Sequence, residues 1–180
     1  MSEAVRVSGG DVRLRPATED DWPTIRRWLA QPEVIRWWGP KATTEAEVML
    51  AMGTEQAICR IIECDGGAVG YAHAMDATLP GALLPAELPV GAWEMDLFVA
   101  SPQHRGRGVG VRALQLMRDE VFGTTLALAV CVRVGVGQEK AVRAYELAGL
   151  HWLAVVRDPV MGPEWVMVAE RGSVGQTSSR

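Results

Sequence analysis

Apolar and polar residues change their period several times along this chain, and each change marks an element. Val12 and Leu14 alternate with Arg13 and Arg15, the period of a half-buried strand, and Pro16 ends it. Thr18 with Asp21 three residues later has the spacing of a capping box, and it predicts a helix through Ala30 with Trp22, Ile25 and Leu29 on its buried stripe. A loop carrying Trp37-Trp38-Gly39-Pro40 follows. Thr44-Glu45-Ala46-Glu47 then opens a short second helix, with Val48, Leu50 and Ala51 available for packing. Residues 56–64 and 68–75 read as antiparallel strands joined by a tight turn at Asp65-Gly66-Gly67.

Residues 79–91 are punctuated by Pro and Gly and form a longer loop. After it, Trp93, Met95, Leu97 and Val99 alternate with Glu94, Asp96 and Phe98, giving a strand with one apolar face and one face that bears two carboxylates. Arg105-Gly106-Arg107-Gly108-Val109-Gly110 leads into a helix over 111–122, where Val111, Leu114, Met117 and Val121 recur at helical spacing. The unbroken apolar run 126–132 predicts a strand covered on both faces, at the centre of the sheet. Residues 138–148 form a helix with Ala141, Ala144, Tyr145 and Ala148 on one stripe and Gly149 as its stop, and 150–156 with 164–170 complete a last strand pair. The predicted order is β-α-α-β-β-β-α-β-α-β-β, an α/β (α+β) fold in one domain over 11–170. Residues 171–180 form a polar tail expected to be disordered.

Composition narrows the class. With 180 residues, 48% hydrophobic and 22% charged, the chain has the balance of one folded globular unit. The longest charge-free apolar run falls short of the ~18 residues that cross a bilayer, so no membrane role is expected. Cys59, Cys64 and Cys131 are an odd set without CxxC spacing and read as buried thiols of a cytoplasmic protein. His73, His104 and His151 stand apart in sequence, so no metal is expected. The net charge of -4 argues against nucleic acid as partner. Its distribution says more: Asp76, Glu87, Glu94 and Asp96 fall in a segment without a base, and Arg105, Arg107, Arg112 and Arg118 follow at once, the last two expected on a solvated helix face. An acidic segment of this kind would gather a cationic small molecule.

The glycine turn at 105–110 carries the chemistry. Glycines at alternate positions let backbone N–H groups point into one concavity, and the start of the next helix adds partial positive charge, which together suit a pyrophosphate. The run lacks the Gly-Lys-Ser/Thr of a Walker A loop, and no βαβ unit with an acidic strand end surrounds it.

These residues resemble the GCN5-related N-acetyltransferases (GNAT), whose Arg/Gln-x-x-Gly-x-Gly/Ala signature stands here as Arg105-Gly106-Arg107-Gly108-Val109-Gly110. A second landmark, small residues before a tyrosine, is matched by Ala141-Val142-Arg143-Ala144-Tyr145. The resemblance implies a mixed, mostly antiparallel sheet splayed at its centre and flanked by helices, and acetyl-CoA as cofactor. The cofactor would lie along Leu97, Phe98 and Val99, the turn from Arg105 to Gly110, and Gln138, Ala141 and Tyr145, with Arg105 and Arg107 near its phosphates. Trp37-Trp38-Gly39 and the acidic Asp96 look most like the aminoglycoside 6'-N-acetyltransferases, which implies a polycationic small amine held by Trp37, Trp38, Asp76, Glu87, Glu94 and Asp96, with Trp38 the favoured indole, in a monomer or homodimer. Two departures stand out: Arg133 where those enzymes usually carry an acid, and Gln138 where asparagine is common.

A mechanism can be built beside the resemblance. An alkylamine with a pKa of about 10.4 is protonated at neutral pH and must lose a proton before it attacks a thioester. Glu94 and Asp96, two apart on one strand, share a face; Asp96 is the expected base, with Glu94 assisting. A backbone N–H near Leu97 or Phe98 would hold the oxyanion, and the family pattern places the Tyr145 hydroxyl to protonate the departing thiolate. Acylation of a protein amine, a polyamine or a siderophore precursor remains open, as does an acyl-CoA-binding module without turnover.

Overall fold

Seven strands form one sheet: β1 (Val12–Pro16), β2 (Ala57–Cys64), β3 (Gly67–Asp76), β4 (Ala92–Val99), β5 (Ala129–Gly135), β6 (His151–Asp158) and β7 (Gly162–Glu170). Their order across the sheet is β1-β2-β3-β4-β5-β7-β6 in a computed structural model that describes residues 10–78, 84–159 and 161–172. Part of the long loop, 79–83, and residues 173–180 of the tail therefore lie outside the described residues. Every neighbouring pair runs antiparallel except β4 and β5, which are parallel. Helices α1 (Trp22–Leu29), α2 (Pro32–Trp38) and α3 (Lys41–Met52) cover one face, where Ile25, Leu29 and Val48 pack with Ile61, Tyr71 and Phe98. Helices α4 (Val109–Thr124) and α5 (Glu139–Leu147) cover the other, over Met95, Val130, Val132 and Met167.

Local chemistry accounts for most boundaries. The Thr18 and Asp21 capping box forms and opens a short 3-10 turn that runs into α1. Asp65 (φ 52°) and Gly66 (φ 82°) both take left-handed backbone, the two-residue hairpin turn whose twist matches β2 and β3. Cys59, Cys64 and Cys131 are free and buried. No helix among the described residues is long and apolar enough to cross a membrane.

Five expectations are corrected. The tryptophan segment is helical: Pro32 has its φ preset for a first helical turn, and Gly39 (φ 105°) stops α2. Leu50 is exposed, because the buried stripe of α3 runs through Thr44, Val48 and Ala51. The apolar run at 126–132 begins too early to be one strand, since Leu126 and Leu128 are 95% and 56% exposed in the connection, and β5, which starts at Ala129, stands next to the central β4. Arg118 does not lie on a solvated helix face. It is buried and donates to the Ala148 carbonyl at 2.7 Å, holding the end of α5 to α4. Arg171, assigned to the tail, is likewise anchored, donating to the Phe122, Thr125 and Ala127 carbonyls at 2.7–2.8 Å.

A register shift in the β2–β3 pairing leaves Val69 extra on β3, and its carbonyl accepts from the Ala100 and Ser101 N–H groups just beyond β4. Gly70 makes this approach possible: a Cβ there would stand 2.2 Å from the Phe98 carbonyl oxygen. Gly70→Ala should therefore cost about 1–3 kcal/mol in urea unfolding, the usual range for forced overpacking. Wild-type stability in that variant would show that β3 and β4 need no such contact.

Candidate active site

The parallel pairing of β4 with β5 covers only Ala92, Trp93 and Glu94 against Ala129, Val130 and Cys131. Beyond that point the two strands part. A cavity of about 820 Å³ opens in the gap, lined by Asp96, Leu97, Phe98 and Val99 from one side and by Arg133, Val134 and Gly135 from the other. Because β4 and β5 diverge, both layers reach the cavity. Asp96 shares the α1–α3 face of β4 with Phe98, Tyr145 comes from α5 on the opposite face, and each lines the cavity.

One end is built by the glycine turn. Gly106 (φ 71°) and Gly108 (φ 84°) take left-handed backbone, and a Cβ at Gly106 would meet nothing within 4 Å. The N–H groups of Val109, Gly110 and Val111 belong to the first turn of α4 and have no partner within the helix, so they can receive an anion. Gly106, Gly108, Gly110, Gln138, Ala141 and Tyr145 all line the cavity together with Leu97, Phe98 and Val99. The rest of the turn departs from expectation. Arg105 lines the cavity but donates to the Val99 and Ala100 carbonyls at 2.8 Å and to Gln31 Oε1 at 3.0 Å, so its guanidinium is tied to the end of β4. Arg107 is exposed and does not line the cavity, and the Val109 side chain is core.

The other end is acidic. Glu47 of α3, Glu94 and Asp96 of β4, Asp158 of β6 and Glu164 of β7 converge there. Arg133 sits among them, its Nε 2.5 Å from Glu94 Oε1 and its Nη1 3.4 Å from Glu164 Oε2. Glu94 is thus engaged by Arg133 and is not a free assistant to Asp96. Burial raises the Asp96 carboxyl well above the usual range, and Glu94 and Glu47 push it further while Arg133 opposes them. Burial also raises the Tyr145 phenol, and the Asp96 charge adds to that, so the hydroxyl stays protonated. The Cys131 thiol is pushed up by burial and is no nucleophile.

Two predicted substrate residues lie elsewhere. Asp76 accepts from the backbone N–H and hydroxyl of Thr78, Glu87 is exposed in the loop, and neither lines the cavity. The sequence reading missed Glu47, Asp158 and Glu164, which no local spacing connects. Trp37 and Trp38 both line the cavity. Trp38 makes edge contacts with Phe98, His73 and Tyr71, whereas Trp37 is 43% exposed under the Arg36 guanidinium, the better-placed flat surface for a ligand. His73, the cross-strand neighbour of Asp96, is held neutral by burial, its pKa pushed down to about 4. His104, which stood alone in sequence, has ligand-type atoms of Cys64 and Asp65 within 4.8 Å.

A family profile described as an acetyltransferase (GNAT) domain matches residues 17–157. The chain belongs to the GNAT acetyltransferases. Among curated GNAT relatives, aminoglycoside N(6')-acetyltransferase type 1 of Klebsiella pneumoniae is 26% identical over 183 residues, covering 96% of this chain and 89% of that protein. A solved structure of AAC(6')-Ib with paromomycin and acetyl-CoA superposes with a TM-score of 0.79 at 25% identity, covering 93% of this chain and 98% of the other. A spermidine N-acetyltransferase from Vibrio cholerae shares the fold at 14% identity, with a TM-score of 0.68 over 88% of this chain and 95% of that one.

A carboxyl raised above its unfolded value of about 3.9 binds its proton more tightly when folded, so its stabilising contribution is present in acid and is lost as pH rises through the folded value. Asp96→Asn should accordingly melt higher than wild type at pH 8 and differ least in acid. Melting curves across pH that rise in parallel for the two proteins would contradict a raised Asp96.

Proposed function

We propose that this GNAT chain transfers the acetyl group of acetyl-CoA to a primary amine of a polycationic small molecule, foremost the 6'-amine of an aminoglycoside. One observation carries the reading: a single cavity joins an anion-receptive glycine turn to a carboxylate-lined end, and Asp96 and Tyr145 both line it. The relatives named for aminoglycoside N(6')-acetylation, and the solved complex of one with acetyl-CoA, support the same substrate pair.

The residues fit the cofactor. First-turn N–H groups of α4 and the Cβ-free backbone at Gly106 and Gly108 suit a pyrophosphate, and the edge of β4 from Leu97 to Val99, unpaired by β5, suits an extended amide-bearing arm. Bound acetyl-CoA supplies an acyl thioester activated toward amines. Asp96 holds the substrate ammonium and takes its proton, and its raised carboxyl lies closer to working pH than an ordinary aspartate, as a base requires. Tyr145, kept neutral, donates its hydroxyl proton to the departing thiolate. Trp37 supports a flat face of the substrate. Glu47, Asp158 and Glu164 attract the remaining positive charges, the role assigned from sequence to Asp76 and Glu87.

Thiol release should follow addition of kanamycin to enzyme and acetyl-CoA; release with spermidine alone would move the assignment to polyamines, and none with any amine would leave an acyl-CoA-binding module. Tyr145→Phe should lower kcat by about 100-fold, within the range for a positioned acid, with cofactor affinity kept; full activity would return Tyr145 to packing. Gly110 adopts helical backbone beside Leu97 and Val99, so Gly110→Phe should fill the cofactor end without unfolding the chain. Calorimetry should then detect little acetyl-CoA binding at unchanged helicity, and wild-type affinity would refute the assigned turn.

A further inference from the structure

Arg133 is a cation placed inside a site that otherwise gathers cations. It projects from β5, where the strands have parted, and its guanidinium reaches three strands at once: Glu94 on β4 at 2.5 Å, Glu164 on β7 at 3.4 Å and Asp158 on β6 at 3.9 Å. Its side chain is 22% exposed, and those of Glu94, Glu164 and Asp158 are no more than 20% exposed, so the cluster is screened far less than surface pairs are. The other basic residues lining the cavity, His104, Arg105 and Lys140, lie beside the glycine turn or on α5.

We propose that Arg133 is a specificity-determining counter-charge that takes the place of a substrate ammonium beside Glu94 and, among cationic amines, biases the enzyme against those that bring a second ammonium to that carboxylate. This rests on the amine-acetylating reading above and refines its substrate class. The acceptor amine goes to Asp96. Glu94, two residues away on the same face, is the next carboxylate an additional ammonium would reach, and Arg133 already holds it. A second substrate cation near Glu94 must displace the guanidinium or sit beside it, and in a partly desolvated cavity like charges a few ångströms apart repel strongly. An amine whose remaining groups are hydroxyls meets no such conflict. Glu94, Glu164 and Glu47 raise the Asp96 carboxyl from β4, β7 and α3, Tyr145 on α5 lines the same cavity and His73 neighbours it on β3, while Arg133 on β5 favours its ionised form. Substrate choice and the protonation of the base are therefore coupled through one side chain.

The test compares kcat/KM for kanamycin with that for 6-amino-6-deoxyglucose, which keeps a primary amine at the same ring position and lacks the other ammonium groups. Wild type, Arg133→Gln and Arg133→Lys are assayed by thiol release at fixed ionic strength. Arg133→Gln should raise the kanamycin-to-monoamine ratio by about tenfold or more, as expected for removing a repulsive element, while Arg133→Lys keeps a ratio near that of wild type. The acid limb of the pH-rate profile should also move to higher pH in the Gln variant. A ratio that does not move in Arg133→Gln, or that moves equally in both variants, overturns the proposal and leaves the proposed function standing. A wild type inert toward both amines overturns the two together. Calorimetric acetyl-CoA affinity reports whether each variant is folded. Should Arg133→Gln prove unfolded, Glu94→Gln serves instead: with one carboxylate fewer and the guanidinium released, the ratio should shift against kanamycin, and an unchanged ratio overturns the proposal.

Discussion

The site depends on the divergence of β4 from β5. A parallel ladder only three residues long per strand holds the two together at Ala92–Glu94 and Ala129–Cys131, and past it the backbone edge of β4 is left without a partner on that side. Backbone polar groups exposed in this way need another partner, and a cavity between separated strands offers them to a ligand. The same gap lets side chains from opposite faces of the sheet approach one another, which an intact sheet forbids, because alternate residues of a strand point apart. Asp96 and Tyr145 line one cavity for that reason.

Several contacts fix the geometry of the gap. The extra residue at Val69 turns its carbonyl toward the N–H groups of Ala100 and Ser101, and Arg105 takes the Val99 and Ala100 carbonyls. The end of β4 is thereby tied, by backbone bonds and by the Arg105 side chain, before the chain enters the glycine turn. Arg118, bridging α4 to the end of α5, fixes the helix that carries Tyr145 relative to the helix that forms the turn. Two arginines in the basic run of the sequence thus brace the glycine turn: Arg105, which also lines the cavity, and Arg118, which does not.

The acidic end of the cavity shows the cost of function to the fold. Crowded carboxylates repel, and burial raises the Asp96 pKa further, a perturbation of the kind that gathers at functional sites. Arg133 relieves the crowding in the resting protein by pairing with Glu94, Glu164 and Asp158. The guanidinium that steadies these acids also occupies part of the cavity they line.

Local interactions made much of this legible without coordinates. The Thr18 and Asp21 cap, the Asp65-Gly66 turn, the glycine turn at 105–110 and the alternation that puts Glu94 and Asp96 on one face all lie within a few residues of chain, where backbone stereochemistry and side-chain period speak directly. What the residue order left undecided was every partnership across long separations. Glu47 of α3 lies more than a hundred residues from Asp158 and Glu164, which end β6 and open β7, and all three are far in sequence from Asp96, whereas Asp76 and Glu87, near Asp96 in sequence, do not line the cavity. Likewise an arginine beside glycines reads as a phosphate ligand until the open carbonyls at the end of β4 claim it. Charges and hydrogen-bond donors act through space, so only the folded sheet, by parting two of its strands, could decide which acids share a cavity and which bases are already engaged.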